Sequence, residues 1–140
     1  MRKFLFTIKA GFIVVLTLAA LLFVYALKHA PVFEKGERYE FYTGTSSEDI
    51  VLASSPFEKL FLTGIKGESV RYQGDRVEAL LTRFHAAVLF TEEAAGVTNY
   101  YCYSPVLRNC VRLNGERVNL HIAVSGNNTA AGTPVIFGGF

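Results

Sequence analysis

The chain has 140 residues, 51% of them hydrophobic, with 14 Lys plus Arg against 12 Asp plus Glu for a formal net charge of +2. That length holds one domain, the apolar content excludes a disordered chain, and so small a charge excludes a nucleic-acid binder that works by electrostatics alone. Two cysteines are too few for a disulfide-dense miniprotein.

These averages cover two unlike parts. No charged residue occurs in residues 10–27. As a helix this run rises about 27 Å, close to the hydrocarbon thickness of a bilayer. It predicts a transmembrane anchor within residues 1–30, with Lys9 able to snorkel. Arg2, Lys3, Lys9 and Lys28 are the charged residues before Pro31, so the leader carries +4 and the remainder −2. Basic residues on the N-terminal flank keep that end in the cytoplasm and send the C-terminal part outside, while Lys28, Lys35 and Arg38 oppose that bias. A cleaved signal peptide is the alternative, with Val24-Tyr25-Ala26 as its small-residue site. The apolar run is longer than a usual signal-peptide core, which favours the uncleaved signal anchor.

Residues 31–38 (PVFEKGER) read as a juxtamembrane linker, and residues 39–140 as one extracytoplasmic domain. Residues 39–43 are β-prone and aromatic. Residues 44–49 are turn-rich, 50–53 form a short strand or helix start, and 57–62 suit a short helix behind Pro56. Residues 68–72 read as a strand. Residues 75–87 carry the main helix. Asp75 and Glu78 give a capping-box pattern, and Val77, Leu80, Leu81 and Phe84 make one apolar stripe. Residues 88–90 follow as a buried strand and 97–104 as another. Asn114-Gly115 is a strong two-residue hairpin signal between 110–113 and the next run. In that run, residues 117–125, Val118, Leu120, Ile122 and Val124 alternate with Asn119, His121, Ala123 and Ser125. The pattern implies one buried and one wetter face. Residues 126–132 read as a turn and 133–137 as the closing strand. The expected fold is α+β: one amphipathic helix on one face of a mostly antiparallel sheet, behind an N-terminal transmembrane helix.

Few residues suggest chemistry. Cys102 and Cys110 flank the Pro105 turn, where a disulfide would staple neighbouring strands; two free thiols are the alternative. Tyr101, Tyr103, Asn119 and His121 are candidates for a binding face, since they fall on strand positions expected to be wetter. A nucleophilic Cys102–His121 pair requires hydrogen-bond reach between the two strands. Glu92 and Glu93 point to opposite faces of a strand and read as strand-end solvation; a close acid pair requires the chain to turn there, as Ala94-Ala95-Gly96 suggests. No phosphate-binding glycine loop is present, and no cofactor or metal is expected.

Four segments carry a family likeness: VLFTEE (88–93), YCYSP (101–105), GERVNLHIAV (115–124) and GTPVI (132–136). Together they resemble the C-terminal region of YwmB-like proteins of spore-forming bacteria. The resemblance implies a bacterial cell-envelope protein with sporulation links. It implies no DNA binding, although that family is likened in shape to TATA-binding-protein folds. The expected function is that of a membrane-anchored, non-enzymatic binding or assembly component with an envelope protein partner. Two alternatives stand beside it: a small hydrolase using Cys102 and His121, and a module that adds a peptide strand to the edge at residues 133–137.

Overall fold

The computed structural model describes residues 1–44 and 47–138, without the side chains of residues 2–7 and 47. Thr45 and Ser46, within the expected turn at 44–49, lie outside the described residues, as do Gly139 and Phe140. The chain divides into two compact units, Met1–Ala30 and Pro31–Phe140.

The first unit is one helix, α1 (Arg2–Lys28). Its segment Ile8–Lys28 contains an 18-residue window of mean hydropathy 2.6 and is long and apolar enough to cross a membrane. Every side chain of that segment is exposed. The Thr17 hydroxyl donates to Ile13 O at 2.9 Å, so it brings no unsatisfied polar group to the apolar surface. At the C-terminal end Tyr25 stacks on His29 with ring centroids 4.1 Å apart. His29 Nδ1–H donates to Tyr25 O at 3.0 Å.

The second unit contains β1 (Arg38–Tyr42), β2 (Ile50–Ala53), β3 (Gly67–Gln73), α2 (Val77–Arg83), β4 (Ala87–Ala94), β5 (Val97–Tyr103), β6 (Val111–Leu113), β7 (Glu116–Val118), β8 (Leu120–Ser125) and β9 (Asn128–Thr133). Among the described residues the strands form a seven-stranded sheet, β2-β1-β3-β9-β8-β5-β4, and a separate ribbon, β6-β7. All pairings are antiparallel. Leu80 and Phe84, at the helix and its C-terminal cap, join Tyr39, Phe41, Val70, Tyr72, Leu120 and Ile122 in the core. This is the expected α+β arrangement, with the helix layered on one sheet face.

Several boundaries differ from the sequence reading. The helix is short: Asp75 Oδ1 accepts from Val77 N–H at 2.9 Å, and His85 at φ 49° takes the left-handed turn that ends it. β4 is exposed along nearly its whole length because it is an edge strand. The closing strand is β9, not residues 133–137. The sequence NTAAGT has weak β-propensity, but its small side chains fit a crowded place. A Cβ on Gly132 would stand 2.7 Å from Ile136 N and from Val135 O. Beyond the cis Thr133–Pro134 peptide the chain doubles back over the sheet face away from α2. There Phe137 stacks on Tyr42 at 4.1 Å, and Ile136 N–H reaches His121. Residues 134–137 form no strand and Thr133 lies in β9 between β3 and β8, so the strand edge expected at residues 133–137 is not formed. The free edges are β2 and β4.

Residues 31–38 are not a linker. Phe33 is 1% exposed and meets the Phe84 ring edge-on at 5.6 Å. Val32 and Phe33 N–H groups donate to Glu68 Oε1 at 2.5 and 3.2 Å. Arg83 donates to Val32 O at 3.3 Å, Tyr72 OH to Glu34 O at 3.3 Å, and Glu37 N–H to Arg71 O at 2.8 Å. A segment that satisfies its backbone this way belongs to the domain.

The second oxygen of Glu68 forms an ion pair with Lys59, and both side chains are largely buried. Removing one partner of such a pair strands the other without solvent. Glu68→Ala is expected to lower unfolding free energy by about 3 kcal/mol, read from denaturant midpoints of the full chain in detergent. A loss below about 1 kcal/mol would place the pair with ordinary surface ion pairs.

Candidate functional site

The candidate residues gather around β5 and β8, and the register between these strands decides their roles. Tyr101 lies opposite His121, and Cys102 opposite Leu120. Successive residues on a strand point to opposite faces. Cys102 is therefore in the core with Leu120 and Ile122, while His121 is on the other face beside Tyr101. The strands pair as the sequence reading required, yet the one-residue offset keeps thiol and imidazole apart. No Cys102–His121 nucleophilic pair is assembled. Burial pushes the Cys102 thiol up to about 11, so it stays protonated at neutral pH.

His121 is a core histidine. Its ring is stacked on Tyr101 at 4.5 Å, and Tyr101 on Phe90 at 4.6 Å, a ladder across β8, β5 and β4. Nδ1 accepts from Ile136 N–H at 3.3 Å, and Nε2–H donates to Asn99 Oδ1 at 3.0 Å. These partners select the neutral tautomer with hydrogen on Nε2. Burial lowers the His121 pKa to about 4. Tyr101 titrates above its ordinary value, first through burial and then through the charge and hydrogen bond of Glu92.

Asn119 is fully buried, so it lies on no binding face. The run at residues 117–125 breaks there: β7 stops at Val118 and β8 starts at Leu120. Asn119 Oδ1 accepts from Ser104 N–H at 2.6 Å. Its Nδ2 donates to Ser104 O at 2.7 Å and Leu107 O at 3.0 Å. One amide thus holds the loop after β5 in place, and the Ser104 hydroxyl adds a 2.6 Å bond to Phe84 O. Both faces of residues 118–123 are buried, in place of the expected wetter face, because the returning C-terminal segment covers the side away from α2.

Cys102 and Cys110 are free thiols in place of the disulfide considered above. Cys102 points into the core. Cys110 Sγ lies 3.9 Å from Arg108 O and 3.6 Å from Arg117 Nη2.

Tyr103 is the most exposed of these candidates, at 36%, while Tyr101 is half-buried. The Arg117 guanidinium lies 5.9 Å from its ring centroid. The two border an open groove of about 460 Å³ that is also lined by Leu89, Arg112 and Glu116. Arg112 and Arg117 face each other directly across the β6-β7 ribbon. Like charges in that position repel, and among the described residues neither forms an ion pair with a carboxylate. These two arginines escaped the sequence reading. The Asn114-Gly115 signal contained them, because a two-residue loop forces residue 112 opposite residue 117. Among the described residues no cluster of three His, Cys, Asp or Glu is arranged to hold a metal.

No protein-family model, curated protein or solved structure matches the chain.

The His121 environment gives a pH dependence with a definite sign. The folded-state pKa of about 4 lies below the ordinary 6.5. Above pH 6.5 the imidazole is neutral in both states and its contribution is complete. As pH falls towards 4 the unfolded chain takes a proton that the folded one refuses, and stability drops by roughly 3 kcal/mol. Thermal melts of the full chain and of His121→Gln should therefore diverge between pH 6.5 and 4, with the variant less acid-sensitive. Parallel curves would remove His121 as the source.

Proposed function

We propose that the chain is a membrane-anchored protein whose domain lies outside the cytoplasm and acts by binding or assembly, without catalysis. The observation that carries this reading is the exposed apolar span Ile8–Lys28, which would be unstable in water and fits a bilayer. Arg2 and Lys3 before it, with Lys9 at its N-terminal end, favour the cytoplasm for that end. The binding reading is supported by the fate of the reactive groups. Cys102 is a protonated core thiol, His121 has both nitrogens engaged, and Asn119 braces a loop. Tyr103 with Arg112 and Arg117 is the surface this reading assigns to a partner, a protein of the envelope. The resemblance to YwmB-like proteins is the ground for placing it in the envelope of a spore-forming bacterium.

Expressed at full length in a bacterium, the chain should stay in carbonate-washed membranes at its full mass. Protease added from outside should remove the domain and leave a protected fragment containing α1. Release of a shorter chain beginning near Leu27 would replace the anchor with a cleaved leader. Protection of the domain in intact cells would reverse the orientation.

A further inference from the structure

We propose that Phe57 and Phe61 form an aromatic wedge that seats in the interfacial layer of the same bilayer that α1 spans. This inference rests on the anchored reading above. The wedge is the short 3-10 helix Pro56–Phe61, none of whose residues joins the hydrophobic core. Phe57 is 62% exposed and Phe61 87%. Single exposed apolar residues are ordinary, whereas clustered ones mark contact surfaces, and these two rings lie four residues apart on one short helix.

The helix is not a loose loop that happens to carry two rings. Ser55 Oγ accepts from Phe57 N–H at 3.3 Å. Glu58 Oε1 accepts from Ser54 N–H and Ser55 N–H, both at 3.1 Å, closing a capping box. Lys59 is fastened from the other side by Glu68. The two phenylalanines are thus presented on a fixed support, although the domain core does not use them.

The bilayer is the favoured occupant because of where that support is tied. The same Glu68 carboxylate that pairs with Lys59 accepts the N–H groups of Val32 and Phe33. The wedge is therefore held beside the first residues of the domain. Residues 29–31 are the whole spacer between the end of α1 at Lys28 and Val32. A chain of that length reaches at most about 14 Å. Val32 cannot leave the vicinity of the membrane surface, and neither can a helix bound to the same carboxylate. Apolar side chains at that height gain by entering the headgroup–acyl boundary.

The chain contains no tryptophan, so single substitutions report without background. Four full-length variants test the wedge: Phe57→Trp, Phe61→Trp, Phe23→Trp within α1, and Asn127→Trp. Asn127 is in the exposed β8–β9 turn, at the end of the sheet opposite Glu68 in the β3–β9 register. Each is reconstituted in phosphatidylcholine vesicles with or without bromine on the upper acyl chain. The expected result is a blue-shifted emission and a loss of intensity to bromine for Phe57→Trp and Phe61→Trp, with Phe23→Trp also quenched and Asn127→Trp unaffected. If Phe23→Trp is quenched while both wedge variants behave like Asn127→Trp, the wedge is wrong and the anchor stands. If Phe23→Trp itself is not quenched, the anchored reading fails and the wedge fails with it. Quenching of Asn127→Trp equal to that of the wedge variants also overturns the proposal, because contact would then not be confined to this helix.

Discussion

The carboxylate of Glu68 is where the domain is tied together. It sits at the start of β3, is 4% exposed, and holds three groups from two other segments. Taking a carboxylate out of water is costly unless its lone pairs are filled. Here the Lys59 ammonium fills one oxygen, and two backbone N–H groups fill the other. With Val32 and Phe33 pinned, the Phe33 ring can close over Phe84 and the core begins almost at the end of α1. With Lys59 pinned, the Pro56–Phe61 helix gains a fixed position although it contributes no side chain to the hydrophobic core.

A second constraint acts on the other face of the sheet. Residues 134–138 return across β9, β3 and β1, and the strands beneath are cut to fit. Gly132 has no room for a Cβ under Val135 and Ile136, and Gly67 lies under the Phe137 ring. Glu40, 7% exposed on this face, is flanked by Arg38 and Arg71 at 3.7 and 3.6 Å and accepts from Ser69 at 3.3 Å. Covering this face removes His121 from solvent and leaves Ile136 N–H to be satisfied by its Nδ1. The neutral imidazole is therefore a consequence of the C-terminal return. It is a hydrogen-bond bridge between strand and strap.

Local signals in the sequence were read well wherever backbone chemistry decides the outcome. Asn114-Gly115 makes the expected tight turn with both residues at positive φ. Residues 38–42, 67–73 and 97–103 pair as strands near their expected bounds. Readings failed where a distant segment overrides propensity. The strand β9 is poor in β-formers and is chosen by crowding, whereas the β-rich residues 133–137 are excluded from the sheet. The alternation in residues 117–125 is real, but alternation reports two faces and says nothing about what lies on each. Nor can composition reveal that residues 31–38, polar and glycine-containing, are held by bonds to Glu68, Arg83, Tyr72 and Arg71, all more than thirty residues away. Of the four residues expected on a binding face, Tyr103 alone keeps an open ring. Tyr101 is caught in the Phe90–His121 ladder, and Asn119 and His121 are buried.

Under the proposed anchoring, the tie at Glu68 also limits how the domain can work. A domain on a long flexible linker samples a volume set by the linker and searches for partners within it. Here three residues separate α1 from the first residue bound to Glu68, so the tether adds almost no reach. A binding surface on such a domain meets what arrives at the membrane and gains little from searching. The Tyr103–Arg112–Arg117 groove, the surface proposed for a partner, is compatible with that role. Asn119 fixes the chain just after Tyr103, and a tight hairpin sets the two arginines opposite each other. Side chains already positioned lose less freedom on binding. An acidic group on the partner would relieve the repulsion between the two guanidinium ions, which the free domain must otherwise tolerate.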